Sequence, residues 1–561
     1  MNHMGVPSLY RTLVSNYNSI QDVSSVHTEY LFIDFNCLIH HCLHVVKGCD
    51  ISMREMEEEV ITEIIRYAVY IITKVIMPSR VVYISIDGPV PIAKMERQRS
   101  RRFKKIQDAS FASKTRRKYN MDDDKSFDSN RITPGTMFMS KLNSRLKNYI
   151  TIGAFASHSK SGTPFKVICS DSNVPGEGEF KIFEYIRNSP STPKVLIYGM
   201  DADLIILSMA VKRPHIRLMR EATHIDNTSM AEFSYIDIDN CKTALYDEYI
   251  SDEMKTSLSI DAFIRDFIVY SMFGGNDYVH PLPHCKIRNG GLEKLVRVYV
   301  VVFSVLNRPM TSVDGDIDPR FMKAFLKRLA DTEDIGVKQH MTVRRTVANH
   351  EPLTFEKEIE MYEHSDYSNP RNPFHLFYKD ELSILDYNKP YDEWVNSYNA
   401  HFFDTPLIDV VSDYMKSLVW ACKYYNGHIQ SWSFHNRHRT SPTLKSIVEL
   451  FDASQLLPSF NLDEVLTPIE QLLYVLPSHS SRLLPIGLQE MMTDPESPIF
   501  EYYPSKFKLD AAAGCKNVYA EAILPKIFIP HIRRVVANIP LNDHDMMRNR
   551  VIDAPFHKTF S

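Results

Sequence analysis

The stretch VLIYGMDADLIILSMA occupies residues 195–210 and joins two apolar runs through a turn that holds two carboxylates. Val195, Leu196, Ile197 and Tyr198 read as a buried strand, and Leu204 to Ala210 continue as an apolar helix or a second strand. Asp201 and Asp203 lie at the turn between them. A carboxylate beside an apolar interior is costly unless a positive charge compensates it. A cation, from the protein or bound to it, must therefore lie close to these two acids.

Three other apolar runs share this design: EYLFIDFN (29–36), RVVYISIDG (80–88) and FKVICSDS (165–172). Asp34, Asp87 and Asp201 fall at strand ends, and Asp171 one residue before the end of its run. Between the first two runs, REMEEEVITEIIRYAVYIITKVIMP (54–78) repeats its apolar residues at helical spacing until Pro78. Strands alternating with helices predict an α/β fold with a mostly parallel central sheet and flanking helices. In such sheets ligands bind beyond the carboxyl ends of the strands, where these acids would converge. Past residue 300 the pattern weakens, 330–375 is polar with poor periodicity, and apolar helical stretches return after 400. The expected organisation is an α/β catalytic domain at 1–300, a variable linker at 301–380, and a helical and irregular region at 381–561 that completes the site.

Glu177 and Glu179 in VPGEGEFKIFEYIR, like Asp201 and Asp203, are spaced i, i+2 and cannot share a helix face. They suit loop-to-helix turns, where both members of a pair can aim at one ion. Asp34, Asp87 and Asp277 (in FGGNDYVHPLP) complete a set of seven acids. Taken singly, each reads as a turn or cap residue. Together they form an all-carboxylate site, which favours hard cations such as Mg²⁺ or Mn²⁺. Two such ions about 3.5–4 Å apart suit phosphodiester cleavage. The DDDK run at 122–125 has no strand beside it and reads as solvated.

Asp87 leads directly into GPVPIAKMERQRSRRFKKIQ. From Lys94 to Lys105 there are seven basic residues and one acid, a local charge of +6 in a chain whose net charge is -4. Lys94, Gln98, Arg101 and Arg102 fall on one helix face, suited to a phosphate held by several donors. Alone, this segment would read as a solvated basic helix. Beside an acidic strand end it reads as a phosphate pocket next to a metal site. With 44% hydrophobic residues the chain is an ordinary globular protein, and its 8 cysteines are scattered, which favours reduced thiols and an intracellular setting. No apolar run is long enough to span a membrane, and MNHMGVPSLY resembles neither a signal peptide nor a myristoylation site.

MGVPSLYRTL, FIDFNCLIH, DGPVPIAKMERQRSRRF, FDSNRITPGTMFM, VPGEGEFKI, MDADLI and GGNDYVHPLP resemble, in order, the motifs of the Xrn family of 5′-to-3′ exoribonucleases. The likeness continues in SLVWACKYYNGHIQSWSF, PIEQLLYVLPSHSSRLLP and MTDPESPIFEYYPSKFKLD, and so spans essentially the whole chain. The resemblance implies a PIN/flap-nuclease-like core and processive degradation of 5′-monophosphorylated single-stranded RNA to nucleoside 5′-monophosphates. It implies two Mg²⁺ or Mn²⁺ ions held by Asp34, Asp87, Glu177, Glu179, Asp201, Asp203 and Asp277. Lys94, Gln98, Arg101 and Arg102 match the family's pocket for the terminal 5′-phosphate. His40 matches its base-stacking histidine, with the opposing aromatic at Trp432 or Phe434. The implied partners are this RNA and the decapping machinery, with no membrane; a monomer is expected, in the cytoplasm rather than the nucleus. The chain reads as a compact member lacking the long C-terminal extension. It departs from the family at Phe434 and Phe180, where a Trp and a His are usual, and at HNRHRTSP, which replaces a Tyr-rich run.

Two other functions fit parts of this pattern. A flap-type 5′ DNA nuclease shares the acidic sheet, but its helix-hairpin-helix element with a Gly-x-Gly turn is not found after Asp277. A catalytically weak RNA 5′-end binder would not need seven intact acids. A phosphatase using Asp-x-Asp fits less well, since Asp203 leads into Leu204 rather than Thr. CLIHHCLH (37–44) invites zinc, yet one helix cannot aim all of its Cys and His residues at one ion.

Overall fold

The computed structural model describes residues 27–46, 53–122, 127–156, 164–199, 201, 203–221, 233–287, 290–344, 354–364, 388–510, 517 and 520–560. Strands β1 (Tyr30–Asp34) and β2 (Val81–Ser85) are buried along their whole length, as strands covered on both faces must be. β1 lies between β2 and β4 (Val195–Tyr198), β2 continues to β3 (Phe165–Ser170), and β4 to β5 (Ile216–Glu221); all of these pairs are parallel. β6 (Phe233–Asp237) adds antiparallel to β5. β7 (Leu509–Asp510) and β8 (Glu521–Ala522) form a separate ribbon. β9 (Phe556–Phe560) returns to pair antiparallel with β3, which gives the order β6-β5-β4-β1-β2-β3-β9. The mostly parallel α/β sheet expected from the sequence is therefore present. β2 stops at Ser85 and β4 at Tyr198, so Asp87 and Asp201 sit in the loops beyond the strands.

The helices follow the apolar spacing. α1 (Phe35–Val45) leaves β1 directly. α2 (Met53–Tyr70) widens into a π-helical turn at Ile71–Ile76 and ends at left-handed Met77 (φ 49°) before Pro78. α3 (Ile92–Lys118) has 27 residues, with Arg116, Arg117 and Lys118 in its last turn, where cations complement the helix dipole. α4 (Met137–Thr151), α5 (Gly178–Asn188) and α6 (Asp203–Ala210) complete the first half. The apolar run after Asp203 is thus a helix and not a second strand.

Farther along come α7 (Ile260–Ser271), α8 (Gly291–Leu306), α9 (Pro319–Ala330), α10 (Phe355–His364), α11 (Leu407–Tyr425) and α12 (Pro468–Val475). α10 lies in the segment whose sequence shows poor periodicity. It docks on α3 through stacked Phe111 and Tyr362 (4.0 Å between ring centres) and a Lys118–Glu358 pair at 2.7 Å.

One apolar cluster packs α5 to α9 and α11 on one face of the sheet. A second packs α1, α2 and α4 on the other. A third joins Val90, Ile92, Met95 and Phe103, at the start of α3, to α12 and to residues as far as Val535. α3 is thereby clamped between the carboxyl end of the sheet and the last third of the chain. Among the described residues no helix is long and apolar enough to cross a membrane.

Candidate active site

β1 ends on Asp34, buried at 4% exposure. One of its oxygens, Oδ2, accepts from Cys37 Sγ at 2.9 Å, and the other, Oδ1, is buried without a hydrogen-bond partner. Asp87 is held by Asn36 Nδ2 at 2.8 Å and by the backbone N–H of Gly178 at 2.7 Å. A Cβ built on Gly178 would lie 3.3 Å from Oδ1 of both Asp34 and Asp87. Glycine there keeps the space between the two carboxylates open. Glu177 immediately precedes α5 and Glu179 lies in its first turn, both buried. Asp203 opens α6, and its N–H donates to Asp201 Oδ1 at 3.2 Å. Both i, i+2 pairs therefore sit at loop-to-helix turns, as their spacing predicts.

The compensating cation from the protein itself is Lys94. Its ammonium bonds Glu177 Oε2 and lies 2.7 Å from Asp277 Oδ2. The other oxygen of Glu177 accepts from the hydroxyls of Tyr278 and Tyr424, the latter at 2.7 Å. Burial and the charge of Asp87 push Asp34 up to about 7. Burial pushes Asp201 up to about 6 against the pull of Lys94. Glu179 and Asp203 are raised well above the usual carboxylate range, by burial and by neighbouring carboxylates. Asp277 goes the other way: burial would raise it, but Lys94 and Arg101 hold it well below the usual range. One lysine and several mutually repelling acids leave the cluster short of positive charge.

α3 carries the rest of the basic face. Arg102 Nη1 donates to Thr133 Oγ1 at 2.8 Å, and burial lowers this guanidinium to about 10. Gln98 Oε1 is buried without a hydrogen-bond partner. The start of the helix is pinned from the far end of the chain: Ile92 N–H donates to Trp432 O at 2.8 Å, and Val90 N–H to Gln471 Oε1 at 3.0 Å. Lys94 thus belongs to the acid cluster and the basic face at once.

The stacking candidates are placed less uniformly. His40 lies half-buried on α1. Trp432 is half-buried in a loop that Asp463 fixes through the Trp432 N–H at 2.6 Å. Phe434 instead packs inward, its ring 6.2 Å from Trp420 and 5.1 Å from Phe460. The MGVPSLYRTL motif lies outside the described residues.

Sequence reasoning did not single out Asn36, Tyr278, Tyr424 and Tyr425 beside the acids, nor Thr133, which holds Arg102. Trp420 on α11 belongs to the core and is 1% exposed. Tyr424 is core as well, at 2% exposure, its ring stacked on Trp420 (5.1 Å) and Phe180 (4.8 Å), and its hydroxyl reaches Glu177. The available signal was two phenols closing a helix, residues with an apolar body and a polar tip.

Among the described residues no three or more His, Cys, Asp or Glu side chains are gathered as a metal centre would gather them. Lys94 and the two tyrosines engage oxygens of Glu177 and Asp277 instead. The donor set still fits a hard cation, because it is all carboxylate and Asp34 Oδ1 is buried and bare.

Two family models match the chain. The one described as "XRN 5′-3′ exonuclease N-terminus" covers residues 4–222, and "Xrn1 helical domain" covers 257–379 and 387–545. The chain is 28% identical to human 5′-3′ exoribonuclease 1 over 93% of its own length, and 26% identical to the Saccharomyces cerevisiae 5′-3′ exoribonuclease 1 over 98%. It is also 26% identical to Arabidopsis thaliana 5′-3′ exoribonuclease 2 over 90%. It spans 33%, 44% and 64% of the lengths of these three relatives. With both models matched in order and the acids, basic helix and sheet arranged as described, the chain belongs to the Xrn family.

Proposed function

We propose that this chain is a processive 5′-to-3′ exoribonuclease that hydrolyses 5′-monophosphorylated single-stranded RNA to nucleoside 5′-monophosphates. The observation that carries this reading is the position of Lys94, which belongs to the basic face of α3 and touches both Glu177 and Asp277. A phosphate held by Lys94, Gln98, Arg101 and Arg102 would then set the next phosphodiester against the acids. The names of the relatives support the same activity.

Asp34, Asp87, Glu177, Glu179, Asp201, Asp203 and Asp277 would hold two Mg²⁺ or Mn²⁺ ions. When bound, such ions supply charge stabilisation and water activation for phosphodiester hydrolysis. Arg102, oriented by Thr133, gives the 5′-phosphate a forked donor, and Lys94 a point charge. In each cycle water adds to the phosphorus, the bond to the 3′-oxygen breaks, and that oxygen takes a proton. The shortened RNA keeps the phosphate as a new 5′-monophosphate, which can enter the same pocket. Bases stacked on His40 and Trp432 would hold the strand between cycles without sequence preference.

Matched RNAs with 5′-monophosphate, 5′-triphosphate or 5′-hydroxyl ends test the reading. The monophosphate should be digested far faster than the others. Equal digestion of single-stranded DNA would favour a flap-type nuclease, and binding without cleavage a decayed 5′-end binder.

A further inference from the structure

Tyr425 is the last residue of α11 and is 2% exposed. Its ring is fixed edge-on between Tyr278 (6.3 Å, 86°) and Tyr424 (6.4 Å, 76°). Those two neighbours spend their hydroxyls on Glu177. The Tyr425 hydroxyl is buried and has no hydrogen-bond partner. The charges acting on it are those of Asp203, Asp277, Lys94 and Glu177, which belong to four separate segments meeting in the acid cluster. Packed against the two tyrosines that reach Glu177, Tyr425 lies where the core meets the acid cluster.

A buried hydroxyl without a partner is unfavourable, and native proteins rarely retain one unless a ligand or water completes it. Replacing it by a ring hydrogen would relieve the defect without creating a cavity. A donor where the core meets the acid cluster has a natural acceptor in an anion that arrives between the acids and the basic face of α3. We propose that Tyr425 is a catalytic residue whose hydroxyl donates a hydrogen bond to a non-bridging oxygen of the scissile phosphate. This rests on the exoribonuclease reading and adds a donor to it. Burial and Asp203 keep the phenol protonated well above its ordinary range, so it acts as a fixed donor and not as the acid that protonates the 3′-oxygen. A preorganised donor of this kind acts most strongly as charge builds on the phosphoryl oxygens.

The test uses the full chain, wild type and Tyr425→Phe, with 5′-monophosphorylated single-stranded RNA and Mg²⁺. The expected result is a kcat lower by about 100-fold, with KM and RNA affinity within about twofold and an unchanged or higher Tm. A second arm uses RNA with a phosphorothioate at the first linkage, because sulfur is a poor acceptor. One diastereomer should slow the wild type several-fold more than it slows the variant. Wild-type kcat in Tyr425→Phe overturns the proposal and leaves the exoribonuclease standing, as when the hydroxyl merely holds a structural water. A lower Tm with a raised KM also overturns it, since that marks a packing role. Failure of the wild type to cut any RNA overturns both.

Discussion

The ammonium of Lys94 lies 2.7 Å from Asp277 Oδ2 and also bonds Glu177 Oε2, so one side chain of the basic helix is the counter-ion of two acids. Lys94 sits in the first turn of α3, where the helix dipole opposes a cation. The acids must outweigh both that and burial, and they do: Asp277 and Glu177 hold Lys94 well above its ordinary range. Removing the cation would leave buried carboxylates unpaired.

Lys94→Gln should therefore destabilise the metal-free protein by about 3 kcal/mol. Mg²⁺ should restore part of that loss, because it neutralises the same acids. Urea unfolding in EDTA and in Mg²⁺ checks this. Unchanged stability in EDTA would mean that Lys94 is not the counter-ion.

The acids also give metal dependence a pH signature. Asp34 and Asp201, raised to about 7 and about 6, bind more protons folded than unfolded. Their contribution to stability is largest below the ordinary carboxylate value and falls as pH rises to about 7. His280, driven well below its usual value by burial and Arg97, has the opposite sign around its ordinary pKa. The informative quantity is thus the difference between Mg²⁺-loaded and EDTA-treated protein. The Tm gain from Mg²⁺ should be larger at pH 8 than at pH 5. An equal gain at both would count against cation binding by these acids.

Trp432 and Phe434 should separate cleanly. Phe434→Ala removes a ring packed on Trp420 and Phe460 and should cost about 2 kcal/mol in stability. Trp432→Ala should leave stability nearly intact yet shorten processive runs, since base stacking is worth about 1–3 kcal/mol. Product-length distributions and Tm for both variants decide. Loss of processivity in Phe434→Ala alone, at normal Tm, would reverse the assignment.

Thr133→Val removes the hydroxyl that holds Arg102 at 2.8 Å. Discrimination between monophosphate and hydroxyl ends should fall about tenfold, the scale of one hydrogen bond to a charged group. Rates on the two RNAs, measured side by side, check it; undiminished discrimination would show that Arg102 needs no such support.

Much of this arrangement was legible because it is local. The runs around Phe32, Tyr83, Ile168 and Ile197 are apolar on both faces, as central parallel strands require, and the α3 face follows from helical spacing alone. β5 escaped notice because charges interrupt its apolar residues (IRLMRE), although it lies inside the sheet between β4 and β6. β9 was hidden for a different reason: Lys558 pairs with Val167, 391 positions earlier in the chain. α10 is polar, and docking on Phe111, rather than its own periodicity, accompanies its helical form. Tyr424 and Tyr425 look like core in sequence. Only the fold reveals that Glu177, more than two hundred positions earlier, meets the Tyr424 hydroxyl.

In the proposed function the Lys94, Gln98, Arg101 and Arg102 face reads a terminal monophosphate and delivers the next linkage to the acids. The most direct measurement is the initial rate on one RNA sequence bearing 5′-monophosphate, 5′-hydroxyl, 5′-triphosphate or cap, for wild type and Arg101→Ala. A monophosphate gains charge-assisted hydrogen bonds that a hydroxyl cannot make, and the larger ends exceed a closed pocket. Monophosphate should be digested far faster than hydroxyl, triphosphate and capped RNA should resist, and Arg101→Ala should flatten the preference. Equal rates on capped and monophosphorylated RNA, or cleavage of circular RNA, would contradict it.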